Sequence, residues 1–197
     1  MKPKFYNIQQ NTDEWYNLRL GKFTASGFKD LFMSKSTAGY QKAIYRAVFE
    51  QITNEPPESF TNDYMQRGHE LEPLAVDWYE METFETTTNG GFWTFGNDIG
   101  ASPDRLVGDN GILEVKCPAF NTMIAYQLKQ QLPNIYKYQV HGQMLVTGRK
   151  WCDFIAFHPK LKPLILRVER DEVIINELIQ KLNESIIEVR NIIKKIS

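Results

Sequence analysis

Apolar residues recur at three- and four-residue intervals over 13–20, 25–33 and 39–53, so the early part of the chain reads as three helices. Asn11 or Thr12 is placed to cap the first of them and Thr24 the second. Pro56 and Pro57 interrupt the pattern and mark a loop over 54–59. Helical spacing resumes over 61–82, where Pro73 predicts a kink or break near Glu72. From Gly90 to Lys116 the chain is rich in glycine, aromatics and alternating apolar residues, as short strands are. Helices follow over 120–131 and 134–147, punctuated by Pro133, and strands near 151–157 and 163–169. A long amphipathic helix occupies 171–196. Together these elements predict an α/β (α+β) fold, with a small mixed sheet flanked by helices, in a single domain over 1–197.

Composition narrows the classes. A hydrophobic fraction of 42% with 13% aromatics belongs to an ordinary globular chain rather than a disordered one. No apolar run approaches the roughly 18 residues that span a bilayer. The opening MKPKFYNIQQ also lacks the apolar region of a secretory signal. The expectation is therefore a cytoplasmic protein with no membrane partner. Cys117 and Cys152 are the only cysteines and do not form a CxxC pair, which excludes a four-cysteine zinc or iron–sulfur site. Both read as reduced structural thiols. The net charge of −1 points neither toward nucleic acid nor away from it, because a local basic lining can coexist with acidic surface elsewhere.

The chemistry concentrates in Ser102-Pro103-Asp104 and Ile112-Leu113-Glu114-Val115-Lys116. On a strand, Glu114 and Lys116 share one face while Leu113 and Val115 form the opposite, apolar one. A carboxylate and an ammonium in or near a core are costly unless paired or bound to a metal. The turn decides where Asp104 falls. A two-residue loop, Asp109-Asn110, puts it on the face opposite Glu114. A three-residue loop, Asp109-Asn110-Gly111, with Gly111 left-handed, puts it across from Lys116 and on the same face. In that second case two hard carboxylates converge on a lysine, a set suited to Mg²⁺ and to phosphate chemistry. A plain surface hairpin carrying an ion pair is the competing reading of the spacing alone.

Further blocks accompany this one in order. They are Trp15-x-x-Leu18-Arg19-x-Gly21-x-x-Thr24-Ala25-Ser26, Gly68-x-x-x-Glu72, Glu114-Val115-Lys116-Cys117-Pro118, Tyr136-x-x-Gln139-Val140 and Glu169-Arg170-Asp171-Glu172. With them the chain resembles the family of bacteriophage lambda exonuclease and the YqaJ-like viral recombinases, within the PD-(D/E)xK nuclease superfamily. The resemblance covers about residues 15 to 172 and implies a restriction-endonuclease-like core. It gives Asp104, Glu114 and the Val115 carbonyl to a divalent metal, with Glu72 as a helix-borne active-site carboxylate. Lys116 is the lysine of the motif, and Gln139 and Tyr136 are site residues on the helix that follows. Arg19, Ser26 and Ser102 match the residues that hold a 5′-phosphate, chemistry that a guanidinium fork and hydroxyls suit. Without the resemblance, Glu72 reads as a solvated helix carboxylate, and Tyr136, Gln139 and Gln143 read as a polar stripe.

The activity implied is a Mg²⁺-dependent deoxyribonuclease, with Mn²⁺ substituting and Ca²⁺ inhibiting. It would digest one strand of linear double-stranded DNA 5′→3′ from a 5′-phosphate and leave a 3′ single strand for annealing. A ring-shaped trimer, a single-strand annealing protein as partner, and a phage or prophage gene acting in a bacterial host come with the family. An endonuclease of the same superfamily would share Asp104, Glu114 and Lys116 without needing the Arg19 pocket, and a non-catalytic DNA-binding domain on this fold is a third reading. Two details depart from the lambda-type pattern. No arginine stands in Ala119-Phe120-Asn121-Thr122, and the strand-separating wedge lines up near Met65.

Overall fold

Two mixed sheets, rather than one, organise the chain. The computed structural model describes residues 2–57 and 63–197, and only the backbone of 63–67 and 69. The larger sheet has the order β3-β6-β7-β8-β9, with β3 at Thr87–Asn89, β6 at Arg105–Val107, β7 at Gly111–Lys116, β8 at Trp151–His158 and β9 at Leu161–Glu169. Its neighbours are antiparallel except β7 and β8. That parallel pair needs a crossover, supplied by α5 (Phe120–Lys129), a 3₁₀ turn at Asn134–Tyr136 and α6 (Lys137–Thr147). The smaller sheet is β1 (Pro3–Tyr6), β4 (Phe92–Phe95), β5 (Ile99–Ala101) and β2 (Phe23–Thr24) in that order. Pro163 is tolerated inside β9 because that strand lies at a sheet edge, next to a register irregularity between Ala156 and His158.

The helices follow the periodicity with two corrections. The first, α1 (Asp13–Arg19), is capped by Thr12, whose hydroxyl accepts from the Trp15 N–H, and α3 runs Ala38–Thr53. The segment read as a helix over 25–33 is instead a 3₁₀ turn at Ala25–Gly27 followed by α2 (Phe28–Leu31). Thr24 makes no side-chain cap there. Of the kink or break expected near Glu72, the break is absent, since α4 runs unbroken from Asp63 to Thr83 with Pro73 inside it. Packing compensates for the hydrogen bond that proline removes, as Ala75, Val76 and Tyr79 of α4 bury against Leu113, Val115 and Ile155 of the sheet. The last helix, α7 (Glu172–Ile196), is capped by the Asp171 carboxylate and packs its apolar stripe on α2, α3 and α6. Among the described residues, no helix is long and apolar enough to cross a membrane.

The hairpin carrying the predicted chemistry differs in register. Arg105 pairs with Leu113 and Val107 with Gly111, so the loop is Gly108-Asp109-Asn110, one residue earlier than expected. Gly108, not Gly111, takes the left-handed conformation, at φ +48°. Gly111 serves another need, because a Cβ there would stand 2.1 Å from the Trp151 ring. Arg149 clamps the turn by donating to the carbonyls of Val107, Gly108 and Gly111. The observed loop has the length of the three-residue alternative and not of the two-residue one, so Asp104 falls on the face that this alternative implies. Continued one step past the ladder, the observed register brings Asp104 opposite Glu114 rather than Lys116.

Candidate active site

Strand β7 is buried on both faces, which differs from the half-buried strand expected of a hairpin. Leu113 and Val115 face α4, whereas Ile112 belongs to the core under α5 and α6. Glu114 therefore emerges beneath α6 and is only 1% exposed. Its Oε1 accepts from Gln139 Nε2 at 2.5 Å and from the Lys116 ammonium, and its Oε2 accepts from Gln143 Nε2 at 2.5 Å. The Tyr136 ring lies 5.3 Å from Lys116 Nζ. Tyr136, Gln139 and Gln143 thus act as one face, and it is turned inward rather than to water. Gln143, which the sequence shows only as part of a polar stripe, belongs to the site through its bond to Glu114.

Asp104 closes the group. Its Oδ2 accepts from the Val115 N–H at 2.6 Å, just beyond the end of the β6–β7 ladder. The N–H and C=O of a strand residue point to the same edge of the strand, so the Val115 carbonyl lies on the β6 edge, the side from which Asp104 meets the Val115 N–H. Burial and the nearby Glu114 carboxylate hold the Asp104 pKa well above its ordinary value, against the pull of Lys116 and the Val115 N–H. Burial disfavours the Lys116 ammonium, but Glu114 and Asp104 outweigh it and raise its pKa. Two acids and one lysine leave this buried group one positive charge short. Gln143 Oε1 is buried with no hydrogen-bond partner. Carboxylates crowded in this way, a backbone carbonyl and an unspent amide oxygen suit a hard divalent cation with bound water.

Glu72 is not gathered with these residues. It accepts from Arg105 Nη1 at 3.2 Å, and the two line a neighbouring cleft of about 680 Å³ with Gln9, Gln10, Asn11 and Asn89. Its charge still reaches Asp104 and raises that acid further. Among the described residues, no three Asp, Glu, His or Cys side chains form a ready metal cage. Arg105 follows Asp104 directly, yet nothing in the sequence marked it as the partner of Glu72, 33 positions earlier.

The three residues assigned to phosphate open onto the same cleft as the acids. Arg19, Ser26, Ser102, Asp104, Glu114, Lys116 and Gln139 all line one space of about 540 Å³. Arg19 stacks on the Trp15 indole at 4.0 Å and donates to Thr24 Oγ1 at 3.2 Å, which occupies the hydroxyl expected to cap a helix. Burial and the neighbouring Arg46 lower the Arg19 pKa to about 10, partly offset by Glu50. Ser26 is exposed. The Ser102 hydroxyl donates to Gly91 O at 2.6 Å and accepts from Trp15 Nε1 at 3.0 Å, so its proton is already engaged. The Met65 side chain lies outside the described residues. Arg170 and Asp171, from the last matching block, are structural: Arg170 donates to Met144 O at the end of α6, and Asp171 caps α7. His141 is buried and bonded through Nδ1 to Lys137 O. Neither Cys117 nor Cys152 is joined in a disulfide, and Cys152 is buried.

A mixed sheet that carries Asp104 at the end of one strand and Glu114 and Lys116 on the next, beneath a glutamine-bearing helix, defines a class of protein. The model of the YqaJ-like viral recombinase domain matches residues 14–150, and the chain belongs to that family. Among solved structures it is similar to the alkaline exonuclease LHK-Exo from Laribacter hongkongensis, with 35% identity over 94% of this chain and 96% of that one, at a TM-score of 0.86. The complex of LHK-Exo with dAMP matches equally, at 34% identity, the same coverage and a TM-score of 0.87. A phage-related exonuclease from Haemophilus somnus 129PT shares the fold at 15% identity, covering 92% of this chain and 99% of its own, with a TM-score of 0.74. No curated protein matches the chain.

Proposed function

We propose that this chain is a Mg²⁺-dependent 5′→3′ exonuclease that digests one strand of linear duplex DNA from a 5′-phosphate. The observation that carries the reading is the single cleft onto which Asp104, Glu114, Lys116 and Arg19 all open. Membership in a viral recombinase family and similarity to an alkaline exonuclease support it. Asp104, Glu114 and the Val115 carbonyl would hold Mg²⁺, which supplies Lewis acidity toward the phosphate and toward water. Glu72 would join the set only by leaving Arg105.

The chain's own groups define the rest. Gln139 and Gln143 fix the Glu114 carboxylate, so its oxygens stay aimed into the cleft. Lys116 remains charged and is placed to donate to a non-bridging oxygen as negative charge builds on phosphorus. Arg19 and Ser26 hold the terminal phosphate. Water adds to the phosphorus between the first two nucleotides and the bond to O3′ of the first breaks, with the proton passing to that leaving oxygen. A 5′-mononucleotide departs, and the shortened strand carries a new 5′-phosphate for the same pocket. Assembly as a ring-shaped trimer and work with a single-strand annealing protein are the partnerships that the family suggests.

The test is cleavage of 5′-phosphorylated linear, 5′-hydroxyl linear and covalently closed duplexes in Mg²⁺, Ca²⁺ or EDTA, with Lys116→Ala in parallel. Loss of one strand from phosphorylated ends in Mg²⁺, abolished in the variant, is the expected result. Cutting of closed circles would assign an endonuclease instead.

A further inference from the structure

We propose that Arg46 is a second phosphate-binding guanidinium of the strand-end pocket, held in place by Glu50, and that Arg19 and Arg46 together select a terminal 5′-phosphate. This rests on reading the cleft as the place where the strand end binds.

Arg46 lines the same cleft as Arg19, Ser26 and Ser102. It lies on α3, one turn before Glu50, with its Nε 3.7 Å from Glu50 Oε1 and its Nη2 donating to Lys22 O at 3.1 Å. Glu50 is a buried carboxylate in an otherwise apolar helix face, a position that costs stability unless its charge is compensated. Its other oxygen accepts from the Gly21 N–H at 2.8 Å, so one carboxylate ties together α3, the turn after α1 and the Arg46 side chain. Arg46 remains 34% exposed, whereas Glu50 is 7% exposed, so the guanidinium keeps an open side that its partner lacks.

The pocket's charge balance points to its ligand. Arg46 is close enough to Arg19 to add to the effect of burial in lowering the Arg19 pKa, with Glu50 offsetting part of it. Around Arg19, two guanidiniums against one carboxylate leave a local excess of one positive charge, while Asp104, Glu114 and Lys116 in the same cleft leave one negative. That local excess is favourable when an anion sits against the two arginines. A terminal phosphate carries about −1.5 to −2 at neutral pH, against about −1 for an internal phosphodiester, so a pair of cations discriminates where one would not. The Ser102 proton is engaged by Gly91, which leaves the Ser26 hydroxyl and the two guanidiniums among the donors that line the cleft. A purely structural Arg46 would serve only to hold Lys22 O, a contact that would not need to face the cleft.

The experiment compares the full-length chain with Arg46→Gln and Arg46→Lys, and with Arg190→Gln as a control outside the cleft. Equilibrium binding of fluorescent duplexes with 5′-phosphoryl or 5′-hydroxyl ends is measured in EDTA, and the KM ratio for the two ends in Mg²⁺. Preference for the phosphorylated end is expected to fall at least tenfold in Arg46→Gln, with the change in KM rather than kcat. Arg46→Lys is expected to fall about threefold, keeping the charge but losing the fork, and Arg190→Gln is expected to match the native chain. A native preference in Arg46→Gln overturns the assignment and leaves the exonuclease reading standing. If Arg46→Gln does not fold, an unchanged preference in Arg46→Lys overturns it instead. A native chain indifferent to the end group overturns both.

Discussion

Gln143 Nε2 donates to Glu114 Oε2 at 2.5 Å inside the molecule, so an uncharged amide on α6 fixes a buried carboxylate on β7. Replacing it with leucine keeps the volume nearly constant and leaves Glu114 Oε2 without its donor. In EDTA, Gln143→Leu is expected to lower the unfolding free energy by about 1–3 kcal/mol, the range for stranding a buried acceptor. Turnover in Mg²⁺ is expected to fall about 10- to 100-fold, as for other partners that orient a metal-binding group. Urea titration and single-turnover rates check the two effects. A variant unchanged in both would mean that Gln139 and Lys116 suffice to hold Glu114.

Gly90 sits behind the acid of the site. A Cβ there would stand 1.7 Å from Pro103 O, a backbone atom that cannot turn aside. Gly90→Ala must therefore push back the Pro103–Asp104 backbone, whose carbonyl also accepts from Gln10 Nε2. The expected cost is about 1–3 kcal/mol, as for overpacking in general. Activity should drop by more than the same loss of stability causes elsewhere, because Asp104 moves with the backbone. Melting temperature and turnover, compared with an equally destabilised variant remote from the cleft, separate the two.

These residues show what the sequence could and could not convey. Parity along a strand places Glu114 and Lys116 on one face because it depends only on local spacing, whereas the face of Asp104 turns on the loop length, which the spacing leaves open and the ladder decides. The register missed by one residue on each strand because glycines flank Asp109-Asn110 on both sides. Only the packing of Trp151 on Gly111 shows which glycine turns and which is pressed flat. The second sheet leaves no mark in the pattern because β1 has four residues and β2 two, too few for a period to register. Glu72 with Arg105 and Gly21 with Glu50 meet across 33 and 29 positions, so no local pattern announces either contact. Gln143 was legible as part of a stripe. Whether that stripe faced water or a carboxylate was a tertiary fact.

His141 gives the fold an acid-sensitive point on the helix that carries Gln139 and Gln143. It is buried, with Nδ1 against Lys137 O, and burial lowers its pKa below 6.5, with Lys137 and Arg170 adding to that and the Lys137 carbonyl and Asp171 opposing it. Above the unfolded value both states are neutral there and His141 adds no pH dependence. As pH falls through about 6.5, the unfolded chain takes up a proton that the folded chain resists, so stability is lost until the folded pKa is reached. The urea midpoint is expected to fall between pH 7.5 and 5.5 by more in the native chain than in His141→Leu. Equal slopes would remove His141 from the acid response.

Asp153 links the sheet to the helix behind the site. It is 2% exposed and accepts from Tyr79 Oη at 2.7 Å, from Arg167 Nε at 2.8 Å and from Arg167 Nη2 at 2.8 Å. The Tyr79 pKa is raised, first by burial and then by that carboxylate. Arg167 also stacks on Trp151 at 3.8 Å, the ring that presses on Gly111 at the start of β7. Arg167→Leu strands a buried charge with only a phenol for company. The expected cost is about 3 kcal/mol, the low end for breaking a buried pair, because Arg167 is half exposed and water can partly replace it. Removing both charges in Asp153→Leu/Arg167→Leu should cost less than Arg167→Leu alone, since no unpaired carboxylate remains. Denaturant unfolding of the single and double variants checks this order. A double variant less stable than Arg167→Leu would mean that Asp153 stabilises the fold even without Arg167, through its bond from Tyr79.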